Sequence, residues 1–119
     1  MKRLIPLAAL AFALSACAAG APVKTSGGVL TNDAGMTLYT FDKDADGKSA
    51  CNGACAGNWP PLMAAADASA SGGYSTIKRD DGAMQWAYKG KPLYTWAKDQ
   101  KPGDMTGDGF NKVWHAAKE

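Results

Sequence analysis

The pattern of apolar and polar positions divides the chain into an uninterrupted apolar run near the N-terminus and a longer region of short alternating stretches. Residues 4–16 carry no charge and follow the basic residues Lys2 and Arg3. A basic start, a short apolar run and small residues at its end are typical of an export signal. The run is too short to span a bilayer as an anchor, which takes about 20 residues. Residues 1–16 are therefore predicted to be a signal peptide.

Alternating polarity after residue 28 predicts short β-strands joined by turns. Residues 29–31 and 36–41 flank the turn residues 32–35, which indicates a hairpin. Further strands are predicted at 74–78, 83–88 and 92–96, between turns that contain glycine. No stretch after Cys17 keeps a helical period over ten residues. The predicted fold class is mainly β: a small single domain of antiparallel strands with long Gly/Asp-rich loops, spanning residues 29–119.

The two halves of this domain repeat each other at an offset of 55 residues. Residues 27–59 aligned with 82–114, without gaps, give eight identities in 33 positions. The identities include Tyr39, Asp44 and Trp59 in the first half, which match Tyr94, Asp99 and Trp114 in the second, and Phe41 matches Trp96 as an aromatic exchange. One repeat alone is too short to bury its own apolar face. We therefore predict that unit 1 (residues 27–63) and unit 2 (residues 74–116) share one core.

The repeated aromatic residues, together with Trp86, have two interpretations. They could form an exposed surface on which a sugar or an aromatic compound stacks. They could equally fill the core, as aromatic residues do in many small β domains. Because both members of each pair occur, we favour the core, and we predict a structural role for the repeated Tyr, Phe, Trp and Asp residues.

The signal segment ends in Leu14-Ser15-Ala16-Cys17, which resembles a bacterial lipobox. In that motif the cysteine becomes the new N-terminus and carries diacylglycerol on its sulfur. We predict lipidation of Cys17, with residues 17–28 as the lipidated cysteine and a flexible tether. Two or three acyl chains hold a protein stably on a membrane. The alternative is an ordinary cleaved signal with a chance cysteine. By resemblance to Gram-negative lipoproteins, Ala18 after the cysteine implies the outer membrane, facing the periplasm. In a Gram-positive cell the same anchor would hold the protein on the outside of the plasma membrane.

Charge narrows the choice of partners. The chain has 13 Lys and Arg against 11 Asp and Glu, and Lys2 and Arg3 lie in the signal, so the exported part is formally neutral. A neutral surface lacks the electrostatic footprint expected for nucleic-acid binding. We predict no nucleic-acid partner. The expected partners are the membrane, through the lipid anchor, and an unknown envelope protein or small ligand.

Cys51 and Cys55 have three possible roles. With Cys17 lipidated, two cysteines remain in an exported protein, which favours a disulfide between them. A redox centre normally has a CxxC motif at a helix start, whereas this spacing is CxxxC and the intervening residues, with Gly53, predict a turn. Copper binding needs further soft or imidazole ligands. The available candidates are Met36, Met63, Met84, Met105 and the single histidine, His115.

The acidic loop is a candidate calcium site. Asp42, Asp44, Asp46 and Gly47 match positions 1, 3, 5 and 6 of an EF-hand loop, where alternate oxygens converge on one cation. However, the position of the bidentate glutamate is occupied by Gly53. A solvated acidic turn is the alternative interpretation, in which the repeated aspartate caps loop N–H groups. No cofactor is expected, and calcium is possible.

A series of motifs resembles a bacterial family of predicted lipoproteins with a repeated Yx(F/W/Y)xxD motif, the secreted repeat of unknown function. The motifs lie at residues 38–44, 47–55, 59–62, 94–99, 101–104 and 113–115, and the resemblance covers nearly all of residues 28–116. It implies a location and an architecture but no activity, and no catalytic constellation is visible. The expected function is that of a non-enzymatic binding or structural module, anchored to the membrane of the cell envelope. The alternatives are a calcium-binding protein and a redox or copper-handling protein.

Overall fold

Eight short β-strands and one helical turn form the part of the chain that the computed structural model describes, residues 20–119. The predicted signal peptide and Cys17 lie outside the described residues. The elements are β1 (Val23–Ser26), β2 (Val29–Asn32), β3 (Tyr39–Phe41), α1 (Ala54–Asn58), β4 (Met63–Ala64), β5 (Tyr74–Lys78), β6 (Met84–Tyr88), β7 (Lys91–Pro92) and β8 (Trp114–Ala116), with a short 3₁₀ segment at Phe110–Lys112.

All paired strands in this part of the chain are antiparallel, which confirms the predicted fold class. The β1–β2 pair forms one sheet, β3 pairs with β8 in a second, and β4, β6 and β5 lie side by side in a third, with β7 against β6. The hairpin predicted after β2 forms, since the Leu38 N–H donates to the Leu30 carbonyl at 2.9 Å. The strand predicted at 92–96 is shorter, and only its first residue belongs to β7.

Two local predictions were wrong. Residues 23–26 lie within the predicted tether, yet they form β1, which pairs with β2 through a turn at Gly27 and Gly28. Both glycines have a positive φ, the left-handed region that favours glycine. Val23 packs against the leucine cluster of the core, so the apolar contact extends the folded domain toward the N-terminus. The region around Cys55, predicted as a turn, contains α1, which is only five residues long.

The two units are related by an approximate two-fold axis. The Tyr39 N–H donates to the Tyr94 carbonyl at 2.7 Å, and the Tyr94 N–H donates back to the Tyr39 carbonyl at 3.0 Å. Residues at equivalent positions of the two units therefore pair with each other. The core consists of an aromatic cluster around this pair and a leucine cluster of Leu30, Leu38 and Leu93 beside it.

The offset between the units is 55 residues from Leu38 onward but 56 residues in β2 and β6. Leu38 N–H donates to the Leu30 carbonyl, and the equivalent Leu93 N–H donates to the Trp86 carbonyl. Leu30 thus corresponds to Trp86, and Val29 corresponds to Gln85. The ungapped alignment is therefore one residue out of register before the hairpin loop, which is longer in unit 1.

Candidate functional site

The repeated tyrosines and aspartates bind across the two units. The Tyr39 hydroxyl of unit 1 donates to Asp99 Oδ2 of unit 2 at 2.6 Å. The Tyr94 hydroxyl of unit 2 donates to Asp44 Oδ2 of unit 1 at 2.7 Å. Each unit therefore supplies the tyrosine for one bond and the aspartate for the other. In each unit the aspartate follows the tyrosine by five residues. It lies on the other side of the two-fold axis, within hydrogen-bond distance of the tyrosine of the other unit.

The second oxygen of each aspartate closes its own loop. Asp44 Oδ1 accepts the Ala50 N–H at 2.7 Å. Asp99 Oδ1 accepts the Thr106 N–H at 3.0 Å and the Thr106 hydroxyl at 2.6 Å. Each carboxylate thus joins the loop that follows its strand to the opposite unit.

Burial changes the protonation behaviour of these groups. Burial, and then the hydrogen bond to Asp99, raise the pKa of Tyr39 well above its usual range. Burial also raises the pKa of Tyr94, and the adjacent Asp44 acts in the same direction. Burial raises the pKa of Asp44 as well, although the Ala50 N–H, the Tyr94 hydroxyl and the Arg79 charge oppose the shift. Both tyrosines are therefore neutral hydrogen-bond donors at physiological pH.

A buried polar network extends the Tyr94–Asp44 bond to Arg79. Because Tyr94 donates its hydroxyl proton to Asp44, the Ser49 hydroxyl at 2.6 Å donates to the Tyr94 oxygen. Arg79, only 6% exposed, donates to Ser49 Oγ at 3.1 Å, to Gln85 Oε1 at 2.8 Å and to the Cys51 carbonyl at 2.7 Å. No sequence pattern singles out Arg79, since an arginine in a polar turn is usually exposed.

The aromatic residues form a continuous stack through the core. Trp59 and Trp114, which are equivalent in the two units, lie parallel with ring centroids 3.8 Å apart. Phe41 stacks on the outer face of Trp114 at 4.1 Å, and Trp96 stacks on the outer face of Trp59 at 3.9 Å. The three tryptophans are each no more than 6% exposed. Their faces are covered by one another, so they do not provide a platform for an external ring.

The loop that follows Asp99 closes one end of this stack. A Cβ atom at Gly107 would lie 2.7 Å from Trp59 Cη2, closer than real side chains come. Phe110 lies over Trp59 and Trp96, with centroids 5.8 and 4.9 Å away. Gly107 is therefore a packing residue that the sequence pattern did not single out.

Cys51 and Cys55 are joined by a disulfide, as predicted. Cys51 is fully buried, and Cys55 packs against the aromatic cluster from α1. The bond fixes the loop whose Ala50 N–H caps Asp44 and whose Cys51 carbonyl accepts from Arg79. Its contacts are those of a structural bridge, while the redox behaviour of the pair stays a prediction.

The three aspartates of the acidic loop have separate contacts. Both oxygens of Asp44 accept hydrogen bonds, from Ala50 and Tyr94. Asp42 Oδ2 lies 2.7 Å from His115 Nε2, and Asp46 lies beside Gly90. Within residues 20–119, no group of three or more His, Cys, Asp or Glu side chains is arranged to hold a metal. A calcium role for this loop stays a prediction, which titration with Ca²⁺ would test.

The candidate copper ligands lie on different elements. Met36 lies in the hairpin loop after β2, Met105 lies in the loop before the 3₁₀ segment, and Met63 and Met84 lie on the paired strands β4 and β6. His115 lies on β8 and contacts Asp42. The copper alternative likewise stays a prediction.

The fold and the reciprocal Tyr–Asp bonds define a class of protein: a mainly β domain in which two sequence repeats complete one another. Residues 21–63 and 75–118 match the model of the family described as secreted repeat of unknown function. The chain belongs to that family, as the sequence motifs indicated. No curated protein and no solved structure matches the chain. Among the described residues, no helix has the length and apolar character needed to cross a membrane.

Proposed function

We propose that this protein is a secreted envelope lipoprotein, anchored through Cys17, whose folded domain is a non-enzymatic binding module. The observation that supports the proposal is that the side chains of the repeated motif contact one another instead of an external ligand. The Tyr, Asp and Trp side chains of this motif bond and stack with one another inside the domain. Side chains satisfied in this way are unsuited to acid–base or nucleophilic work. The domain would therefore act through its surface.

The position of β1 supports close attachment to the membrane. β1 begins at Val23, and the proposed anchor is Cys17. An extended chain covers at most about 3.5 Å per residue, so this connection reaches about 20 Å. The domain would therefore stay close to the membrane surface. It would bind its partner or ligand there.

Replacing the cysteine tests the anchor. Cys17→Ser should abolish acylation and leave an uncleaved precursor, which mass spectrometry and metabolic labelling with a fatty acid would detect. The control is Ala18→Ser, which leaves the cysteine in place and should be acylated normally. Normal maturation and membrane fractionation of Cys17→Ser would contradict the proposal.

A further inference from the structure

An open groove lies between the β1–β2 hairpin and the loop 102–105 of unit 2. Its volume is about 410 Å³, within the range of small-molecule sites, roughly 300–1,000 Å³. Ser26, Val29 and Thr31 line it from the hairpin, Thr37 lines it from the chain after the hairpin loop, and Pro102 and Met105 line it from the loop of unit 2. We call it the hairpin groove. The proposed binding module needs such a surface.

The equivalent place in unit 2 is filled by the chain itself. Val29 corresponds to Gln85, and the loop 102–105 corresponds to the loop 47–50. Between Gln85 and that second loop lies the planar guanidinium of Arg79, bonded to Gln85 and Ser49. Arg79 belongs to the connection between β5 and β6, whereas the matching connection between β1 and β2 is only Gly27 and Gly28. The hairpin groove is open because the shorter turn carries no side chain to fill it.

The lining of the hairpin groove determines what chemistry would suit it. No charged side chain lines it among the described residues. Thr37 donates its hydroxyl proton to the Asp104 carbonyl at 2.8 Å, and Thr31, 6% exposed, donates to the Lys24 carbonyl at a long 3.4 Å. Both threonine oxygens therefore keep free lone pairs. The uncharged lining suits an uncharged ligand, and the two threonine oxygens would accept a hydrogen bond from a donor on that ligand.

The apolar wall adds a preference for a flat ring. Val29 replaces the Gln85 of the filled site, and the Met105 side chain is 37% exposed at the edge of the groove. Thioether groups make favourable contacts with aromatic rings. From the open volume, the acceptors and this wall, we propose that the hairpin groove binds a small uncharged aromatic compound that carries an N–H or O–H donor. The inference rests on the proposed function as a binding module.

Indole is a suitable probe, with N-acetylglucosamine as a non-planar neutral comparison. The protein is the mature chain, residues 17–119, with Cys17→Ser to keep it free of lipid. Methyl-labelled methionine gives four NMR signals from residues 17–119, of which two serve as reporters: Met105 in the groove and Met63, which is 50% exposed on β4. Indole should shift the Met105 methyl resonance saturably and leave that of Met63 in place. Because lipid is absent, the result does not depend on the anchor.

Two pairs of variants localise the binding. Ser26→Tyr fills the groove from the exposed end of β1 and should abolish the Met105 shift, whereas Lys78→Tyr, at the exposed end of β5, should retain it. Thr31→Val removes one acceptor and should weaken indole binding about five-fold, as expected for one hydrogen bond. Its control, Thr25→Val, lies outside the groove lining and should bind normally. Thermal melts establish that each variant is folded.

Several outcomes would overturn the inference. These are no saturable shift with indole, equal shifts at Met105 and Met63, binding of N-acetylglucosamine in preference to indole, or normal binding by Ser26→Tyr. None of them would affect the acylation of Cys17, so failure of the groove is distinguishable from failure of the lipid anchor.

Discussion

Removing the hydroxyl of Tyr94 should lower the free energy of unfolding by weakening the contact between the two units, without changing the shape of the core. Tyr94→Phe deletes the donor to Asp44 Oδ2 at 2.7 Å and the acceptor for Ser49 at 2.6 Å. The ring itself is fully buried and remains in place in the phenylalanine variant.

The expected loss follows from the two bonds. A hydrogen bond to a charged group contributes about 1.5–3 kcal/mol, and a neutral one about 0.5–1.5 kcal/mol. Half-buried Asp44 keeps its bond from Ala50 and gains some contact with water, so we expect a total loss of about 2–3 kcal/mol. Since domains of this size are stable by about 5–15 kcal/mol, this is a large fraction.

Denaturation in urea, followed by tryptophan fluorescence, measures the free energy of unfolding. The matched control is Tyr88→Phe, because the Tyr88 hydroxyl has no hydrogen-bond partner among the described residues, and it should cost under about 0.5 kcal/mol. A double-mutant cycle of Tyr94→Phe with Asp44→Ala should give a coupling energy of at least about 1 kcal/mol. Equal losses for Tyr94→Phe and Tyr88→Phe would refute the reasoning.

Three further predictions concern the same core. Gly107→Ala should destabilise the domain by about 1–3 kcal/mol because the added methyl group overlaps the indole of Trp59, whereas Gly57→Ala, in open space within α1, should be neutral or stabilising in the same urea titration. Replacing Cys51 and Cys55 by alanine should cost about 2 kcal/mol for so short a loop and leave the circular dichroism spectrum unchanged, and an altered spectrum would contradict this. Burial raises the pKa of Asp44 in the folded state above its pKa in the unfolded state. The stabilisation that the protonated carboxyl contributes is therefore complete below the unfolded-state pKa and is lost as pH rises through the folded-state pKa. The free energy of unfolding of the wild type relative to Asp44→Asn should therefore be larger at pH 3 than at pH 7, and a difference that grows with pH would contradict it.

The sequence identified the repeated residues but not their contacts. Alternation and turn residues predicted the hairpin after β2 and the strands β5 and β6, because those signals are local. The identity of Tyr39 with Tyr94 indicated an architectural role. That each tyrosine binds the aspartate of the other unit follows from the two-fold arrangement, which no local pattern specifies.

The errors also have physical causes. Val23 to Ser26 form β1 because β2 offers both hydrogen-bond partners and a leucine cluster, a tertiary effect that overrides the small-residue composition around them. Arg79 is buried because Ser49 and the Cys51 carbonyl, both distant from it in sequence, and Gln85 on β6 satisfy its guanidinium. The hairpin groove is a difference between two loops, so it becomes visible only when the two units are compared in space.

Separating the two units tests most directly the claim that they complete one another. Polypeptides covering residues 20–64 and 72–119 should each be unfolded alone, since neither can pair its own tyrosine with its own aspartate or stack both core tryptophans. Mixed in equal amounts, they should give the circular dichroism spectrum and the tryptophan fluorescence of the intact chain, with a cooperative thermal transition. A cooperative transition in either polypeptide alone would contradict the account.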